Sequence, residues 1–379
     1  MNYWETEDLI FDGDEYFDRL IQDIEAAQNS ITVEVYIFND DLLGRKLAAH
    51  LVAAQIRGVK VQVIVDGVGS YDFYERLSGL LEKKGVQVKT YNPLPFLHPF
   101  YGKVNFTRKM EIYLLRLLRL NKRNHRKIVT IDENIMYTGS FNFAVEHTSF
   151  HHTGAWKDVG IRVSGEMVKY AVLNFKRNWR LRDYYRYKKQ LKKLPRSNWR
   201  QSPLRMNHTL SMKRYFYKNF LNRIHRAQKR IWFVTPYFIP RRRIIRLLGQ
   251  AAERGVDVRL LTTLKTDVKI FRALQFFYYP YLLSKGVKVF QYSDTILHAK
   301  NYIIDDWMTV GSTNLNHRSL IHDLEVDLVV QTEDNIKEME KNFLGMTEKL
   351  ELVSLENMKG RTFADKFITR LYFIFRYWL

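Results

Sequence analysis

The stretch "NHRKIVTIDE" at residues 124–133 returns in closely similar form as "LHAKNYIIDD" at residues 297–306. Both copies contain a histidine, one spacer, a lysine, four spacers and an aspartate, and Gly-Ser-x-Asn follows each of them, at Gly139–Asn142 and Gly311–Asn314. Residues two apart on a β-strand project from the same face, so the histidine and lysine of each copy are expected to emerge together. The duplication predicts two similar halves, each carrying one such pair.

Three more segments of the first half return in the second half. They are "AAQNSITVEVYIF" (26–38) with "RAQKRIWFVTPYF" (226–238), "AAQIRGVKVQVIV" (53–65) with "AAERGVDVRLLT" (251–262), and "LLEKKGVQVKTY" (80–91) with "LLSKGVKVFQY" (282–292). Each half alternates helical periodicity with short β-branched runs, which is typical of layered α/β proteins. We therefore predict an α/β fold of two pseudo-symmetric lobes, each a mixed sheet flanked by helices, with the active site at the lobe interface.

The repeat divides the chain into four parts. We expect a first lobe over residues 1–180, a basic linker over 181–204, a second lobe over 205–350 and an amphipathic aromatic tail over 351–379. The linker prediction rests on a run dense in Lys, Arg and Tyr, which is typical of an exposed segment. The first lobe also carries an insertion at about 92–123.

The insertion is located by spacing, since 34 residues separate Tyr91 from His125 whereas 6 separate Tyr292 from His298, leaving about 28 extra residues. As a helix, residues 106–124 have an apolar face and a basic face. The apolar face is formed by Phe106, Met110, Tyr113, Leu114, Leu117 and Leu120, and the basic residues are Arg108, Arg116, Arg119, Lys122 and Arg123. Periodicity allows either packing on the protein core or binding in a membrane interface, and the position just upstream of the motif favours the membrane.

The C-terminal stretch 363–379 has a similar pattern. Its helical stripe consists of Phe363, Phe367, Leu371, Ile374, Phe375 and Trp378. The stripe predicts a second interfacial anchor, with docking onto the core as the alternative.

The amino-acid composition limits the classes of binding partner and of site that the protein can have. The chain of 379 residues has 61 Lys and Arg against 40 Asp and Glu, a net charge of +21, which implies a polyanionic partner, either nucleic acid or anionic lipid. It has no cysteine, which excludes disulfides and thiolate metal sites. No apolar run approaches the roughly 18–20 residues of a membrane span, and the acidic N-terminus argues against a signal peptide.

Paired histidines and lysines suit phosphodiester chemistry. One of His125 and His298 can attack phosphorus while the other protonates the departing alkoxide. Lys127 and Lys300 would neutralise charge on the phosphate oxygens, so no metal or cofactor is required. Further phosphate contacts are expected from Ser140, Asn142, Ser312 and Asn314.

These features resemble the phospholipase D superfamily, whose signature is a paired HxKxxxxD motif, and within it the bacterial cardiolipin synthases of the B type, which lack N-terminal transmembrane helices. The supporting stretches are "YIFNDDLLGRKL" (36–47), "DGVGS" (66–70), "HRKIVTID" (125–132), "NFAVEH" (142–147), "PYFIP" (236–240) and "VGSTNLNHRS" (310–319). The chain departs from related synthases in having Gly-Ser rather than Gly-Gly after the first motif, and its insertion is longer.

The resemblance implies roles for individual residues. It implies His125 as the nucleophile and His298 as the acid–base group, with Lys127 and Lys300 gripping the phosphate; the near-symmetric sequence leaves the reverse assignment of the histidines open.

The resemblance also implies that a downstream carboxylate orients each histidine. Asp158 and Glu325 fit, 33 and 27 residues past the histidines of their own halves. Asp132 and Asp305 complete the signature and are interpreted as supports for the turn after the strand.

The expected function is a phosphatidyltransferase that joins two phosphatidylglycerol molecules into cardiolipin and glycerol through a phosphatidyl-histidine. The alternatives are transfer to another alcohol and a superfamily nuclease, which the amphipathic segments and the fused repeat disfavour. The implied location is the cytoplasmic side of the bacterial inner membrane, held peripherally, with no nucleic-acid partner.

Two other clusters attract attention. Glu146, His147, His151 and His152 could suggest zinc, but they lack cysteines and clear i, i+4 pairing, and we interpret them as loop histidines near the entrance. Arg241–Arg243 and the run at 275–283 are interpreted either as the rim of a lipid cleft or as ordinary packing.

Overall fold

Two seven-stranded mixed sheets form the framework of the protein. The structure, a computed structural model, describes residues 3–95, 106–118, 121–150, 154–179, 200, 202–266 and 269–356. The first sheet contains β1 (Thr6–Ile10), β2 (Ser30–Val35), β3 (Lys60–Asp66), β4 (Gln87–Tyr91), β5 (Lys127–Ile131), β6 (Ile135–Gly139) and β7 (Gly160–Ser164). The second contains β8 (Leu204–Met206), β9 (Arg230–Val234), β10 (Asp257–Thr263), β11 (Lys288–Tyr292), β12 (Asn301–Ile304), β13 (Trp307–Gly311) and β14 (Val326–Val329).

The sheets have the same topology. Their strand orders are β1-β7-β6-β5-β2-β3-β4 and β8-β14-β13-β12-β9-β10-β11, with three parallel strands at one side and antiparallel strands at the other. The two-lobed α/β prediction is confirmed.

Eleven described helices flank the sheets. They are α1 (Gly13–Ala26), α2 (Leu42–Ile56), α3 (Tyr71–Arg76), α4 (Ser78–Lys83), α5 (Phe106–Leu118), α6 (Val168–Trp179), α7 (Leu210–Arg226), α8 (Arg242–Glu253), α9 (Lys269–Ser284), α10 (His317–Ile321) and α11 (Glu333–Glu348). Asp41 starts α2 by accepting a hydrogen bond from the Gly44 amide at 2.8 Å. The repeated "RGV" ends α2 and α8, where Gly58 and Gly255 adopt φ of +96° and +89° that glycine tolerates best.

The two lobes share a hydrophobic core. One apolar cluster joins the first sheet to the second through residues such as Met136 and Ile161 on one side and Met308 and Val310 on the other. A separate apolar cluster lies between each sheet and its outer helices, one in the first lobe and one in the second. The lobes therefore share one apolar interior, to which α6 and α11 also contribute through residues such as Val168 and Met339, and residues at their junction are held by both halves.

The insertion contains a helix, but a shorter one than the predicted 106–124. Within α5, the apolar side chains of Met110, Leu114 and Leu117 are 54%, 59% and 48% exposed. This exposure contradicts the alternative in which that face packs on the protein core. The predicted linker, apart from its last residues, and the tail 363–379 lie outside the described residues.

Candidate active site

The two histidine–lysine pairs stand at equivalent ends of the two sheets. Lys127 opens β5 opposite Val35 of β2, and Lys300 directly precedes β12, which pairs with β9. Nζ of Lys127 donates a hydrogen bond to the carbonyl oxygen of His125 at 2.7 Å, and Nζ of Lys300 donates to the carbonyl oxygen of His298. The ammonium group is thereby fixed beside the imidazole.

Short β-bridges between the lobes bring the segments of the two halves together. The His125 amide donates to the carbonyl of Leu324 at 2.9 Å, next to a parallel bridge between Asn124 and Leu324. In the other half the His298 amide donates to the carbonyl of Lys157 at 2.7 Å, and Lys157 bridges Leu297 in the same way. The residue before each histidine thus pairs with the residue before the carboxylate of the opposite half.

The histidine–carboxylate pairs are consequently crossed. Nδ1 of His125 lies 3.0 and 3.1 Å from the carboxylate oxygens of Glu325, and Nδ1 of His298 lies 2.7 Å from Oδ1 of Asp158. The expectation that each carboxylate serves the histidine of its own half was wrong, because the bridges exchange partners between lobes. An ionised carboxylate at Nδ1 keeps the proton on that nitrogen and leaves the lone pair on Nε2.

The serines of the two Gly-Ser-x-Asn segments support the carboxylate strands. Ser312 donates its hydroxyl proton to Glu325, and Ser140 donates to the carbonyl of Val159 at 3.1 Å. Both serines are completely buried. Their expected role as phosphate ligands is therefore revised, since each hydroxyl proton already has an acceptor inside the protein.

The asparagines of these segments behave differently from the serines. Oδ1 of Asn142 accepts from the Ile37 amide at 3.2 Å, and the buried Oδ1 of Asn314 has no partner in the described part of the chain. Their amide NH2 groups remain candidates for phosphate contact.

Burial and the lysine charges favour the neutral form of both histidines. Burial, followed by the charges of Lys127 and Lys300, holds the pKa of His125 well below its usual value. Burial and Lys300 likewise lower the pKa of His298, against the opposing effect of Asp158. A neutral imidazole with a free Nε2 lone pair is the form that can attack phosphorus.

The groups around His125 are also perturbed. Burial lowers the pKa of Lys127 to about 8 and raises the pKa of Glu325 to about 7. A buried cluster of ionisable groups with shifted pKa values is typical of a functional site.

Asp132 and Asp305 stand at the far ends of β5 and β12. Asp132 accepts hydrogen bonds from the amides of Gln28, Asn29 and Ser30, at 2.9, 2.7 and 2.9 Å, and Asp305 accepts from the three equivalent amides at the start of β9, those of residues 228–230. They hold the turns that enter the central strands, as their interpretation as turn supports predicts.

Two aromatic neighbours of the histidines were not predicted from the sequence. The ring of Tyr36 lies 4.8 Å from that of His125, and the ring of Trp156 lies 5.4 Å from that of His298. Tyr36 directly follows β2, and Trp156 shortly precedes Asp158. These positions beside the motif strands could have identified the two aromatic residues as neighbours of the histidines.

The interpretation of the histidine cluster 146–152 was wrong for His147. That residue is 1% exposed and its Nδ1 lies 2.7 Å from Oδ2 of Asp158, so it is an interior group rather than a loop histidine at the entrance. His151 and His152 lie outside the described residues. Arg241–Arg243 are exposed, whereas most of the described aromatic run 275–283 packs in the outer core of the second lobe.

Comparisons with known proteins identify the family of the chain. The family model described as "Cardiolipin synthase, PLD-like domain" matches residues 20–157 and 220–347. Cardiolipin synthase B of Escherichia coli (strain K12) is 31% identical over 327 residues, covering 85% of this chain and 75% of that protein. Cardiolipin synthase 1 of Staphylococcus aureus (strain COL) is 28% identical over 366 residues, covering 95% and 71%.

A solved structure shares the fold. The crystal structure of phosphatidylserine synthase from Haemophilus influenzae Rd KW20 superposes with a TM-score of 0.68 at 14% identity, over 98% of this chain and 93% of that one. Because the family model matches both halves and a relative is 31% identical over three quarters of its own length, the chain belongs to the phospholipase D-like cardiolipin synthase family and is a phosphatidyltransferase.

Proposed function

We propose that this enzyme joins two phosphatidylglycerol molecules into cardiolipin and glycerol through a phosphatidyl-histidine intermediate. The observation that carries the proposal is the crossed pairing, in which His125 contacts Glu325 and His298 contacts Asp158 of the opposite half. Such pairing gives two oriented imidazoles at one lobe junction, and a transfer through a covalent intermediate needs one nucleophile and one acid–base group. The family relatives are named for the same product.

In the first step, Nε2 of His125 attacks the phosphorus of the donor lipid, and the bond from phosphorus to the glycerol headgroup oxygen breaks. His298 gives its Nε2 proton to that oxygen, so that glycerol leaves as a neutral alcohol. His298 must first be protonated, and phosphate binding favours this, because its negative charge offsets the lysine ammonium that depresses the pKa of His298.

In the second step, a hydroxyl of the second phosphatidylglycerol attacks the phosphatidyl-histidine. His298 removes the hydroxyl proton while the bond from phosphorus to nitrogen breaks, which restores neutral His125. Lys127, Lys300 and the amides of Asn142 and Asn314 would bind the phosphate oxygens during both steps. Water must be excluded from the cleft, since it would otherwise replace the lipid alcohol.

We further propose that the protein binds its lipid substrates from the membrane surface, through α5 and the tail 363–379, on the cytoplasmic side of the bacterial inner membrane. No helix in the described part of the chain has the length and apolar character that crossing a bilayer requires. The exposed face of Met110, Leu114 and Leu117, on a chain of net charge +21, fits an anionic lipid interface.

Replacing the exposed face of α5 should weaken membrane binding. We expect the triple variant Met110→Gln, Leu114→Gln, Leu117→Gln to lose about 100-fold in affinity for anionic vesicles. Each of these apolar side chains is about half exposed in the protein, and burying its exposed half in the membrane contributes about 1 kcal/mol to the free energy of binding. Turnover of a soluble short-chain diester should be unchanged. Vesicle co-sedimentation and kinetics measure the two effects.

A matched control is available elsewhere in the first lobe. Leu42, Ile56 and Leu80 are 73%, 72% and 57% exposed, and their replacement by glutamine should leave vesicle binding intact. Equal loss of binding in both triple variants, or parallel loss of activity on the soluble diester, would refute the role of α5.

The proposed reaction is tested with phosphatidylglycerol vesicles and mass spectrometry. We expect cardiolipin and glycerol in equal amounts. Phosphatidic acid as the sole lipid product would indicate a hydrolase instead. Cleavage of plasmid or RNA without any lipid product would establish the nuclease alternative.

A further inference from the structure

Asp158 is bound by two imidazoles, of which the proposed mechanism uses one. Its Oδ1 lies 2.7 Å from Nδ1 of His298, and its Oδ2 lies 2.7 Å from Nδ1 of His147. Asp158, His298 and His147 are 4%, 6% and 1% exposed, so water does not compete for these contacts. Both carboxylate oxygens are therefore committed to histidines.

The histidine-orienting carboxylate of the opposite half, Glu325, has a different hydrogen-bond donor. There the carboxylate of Glu325 accepts from the hydroxyl of Ser312. The equivalent Ser140 donates to the carbonyl of Val159 rather than to Asp158. Glu325 also has a hydrogen bond to the side chain of Ser319, which follows Ser312 by seven residues. In the first half the residue at the corresponding position after Ser140 is His147, and it contacts Asp158.

The ring of His147 is held rigidly in this position. It ends a 3-10 turn, Val145–His147, and its centroid lies 6.0 Å from that of Phe141 and 5.3 Å from that of Trp156. The backbone is confined as well, because a Cβ at Gly13 would stand 1.6 Å from the His147 carbonyl oxygen. In this confined position the Nδ1–H group points at Asp158.

We propose that His147 is a positioning residue for the acid–base histidine of phosphatidyl transfer. Its Nδ1–H fixes the carboxylate of Asp158, whose other oxygen fixes the tautomer and ring orientation of His298, so that Nε2 faces the phosphate. The inference rests on the proposed function. Although burial alone would raise the pKa of Asp158, His298 and His147 hold it well below its usual value, which keeps the carboxylate an acceptor.

A metal ion is the competing interpretation of the same three residues. Their ligand atoms lie within 4.8 Å of one another. Each oxygen of Asp158 already has an imidazole partner at hydrogen-bond distance, so the contacts need no cation to explain them. The two interpretations differ in how the wild-type enzyme responds to a chelator.

The test compares His147→Asn, which keeps an N–H donor near the Nδ1 position, with His147→Phe and His147→Leu, which remove it. We expect kcat on phosphatidylglycerol to fall about 10- to 100-fold in the Phe and Leu variants, with KM little changed, and to stay within about 5-fold of wild type in the Asn variant. His50→Asn, in which the replaced histidine contacts Glu25 at 3.1 Å and neither Asp158 nor His298, is the control for replacing a histidine.

A second substrate separates positioning from general damage. Phosphatidyl-p-nitrophenol has a leaving group that needs no acid, so the Phe and Leu variants should release one equivalent of p-nitrophenolate at close to the wild-type rate and then turn over slowly. A burst that falls in proportion to turnover, or an Asn variant as impaired as the Phe variant, would overturn the proposal. Loss of wild-type activity in a chelator, restored by zinc, would also overturn it.

The two hypotheses fail in different ways. If the wild-type enzyme makes no cardiolipin, the proposed function fails. If it does and the Phe and Leu variants match it, only the role of His147 fails.

Discussion

His125→Asn is expected to abolish phosphatidyl transfer, by about 10⁴-fold or more, whichever leaving group the donor carries. The asparagine amide can still reach Glu325 but has no lone pair with which to attack phosphorus. Phosphatidylglycerol and phosphatidyl-p-nitrophenol should therefore both be inert, and no burst of p-nitrophenolate should appear. Stopped-flow absorbance and mass spectrometry of the lipids measure the two losses.

The control for His125→Asn is a measurement of whether the variant still folds. The variant should keep the wild-type melting temperature within a few degrees, since the amide of residue 125 still donates to Leu324. A burst of p-nitrophenolate from a folded variant would contradict the assignment of His125 as the nucleophile.

His298→Asn should lose turnover on phosphatidylglycerol by about 10³- to 10⁴-fold, because the departing alkoxide is left without an acid. With phosphatidyl-p-nitrophenol, in contrast, the first step should proceed, since that leaving group departs unprotonated. The variant should release one equivalent of p-nitrophenolate and then stop, because no base activates the acceptor. The two histidines are thus distinguished by one substrate.

The opposite pattern would reverse the roles. If His298→Asn gave no burst and His125→Asn did, His298 would be the nucleophile and Glu325 would orient the acid. Equal and partial losses in both variants would remove the two-histidine scheme altogether.

The fold could be predicted from the sequence because the two halves of the chain repeat the same order of helix and strand patterns. The repeated segments predicted two similar α/β lobes, and the two sheets have the same strand order; the glycines of the repeated "RGV", Gly58 and Gly255, end α2 and α8 with positive φ. The helix of the insertion could be predicted as well, since apolar spacing is a local property. What surrounds that helix is a tertiary property, and only the exposure of Met110, Leu114 and Leu117 decided it.

The arrangement of the candidate site could be predicted only in part. The motifs identified the histidines, lysines and carboxylates, but distance along the chain suggested that each histidine pairs within its own half. The bridges of Leu324 to Asn124 and of Leu297 to Lys157 reverse that pairing, and nothing in a linear sequence encodes them. His147 was misinterpreted for the same reason, because its contact with Asp158 depends on the fold of the intervening segment.

The central claim is that two halves serve one phosphorus atom, with His125 forming the covalent bond. It is tested most directly by quenching His298→Asn after the burst of p-nitrophenolate from phosphatidyl-p-nitrophenol and mapping the phosphatidyl adduct by mass spectrometry under neutral to alkaline conditions. We predict a stoichiometric adduct on the peptide that contains His125, and none in His125→Asn treated in the same way. An adduct on His298 in His125→Asn, or no adduct in either variant, would contradict the account.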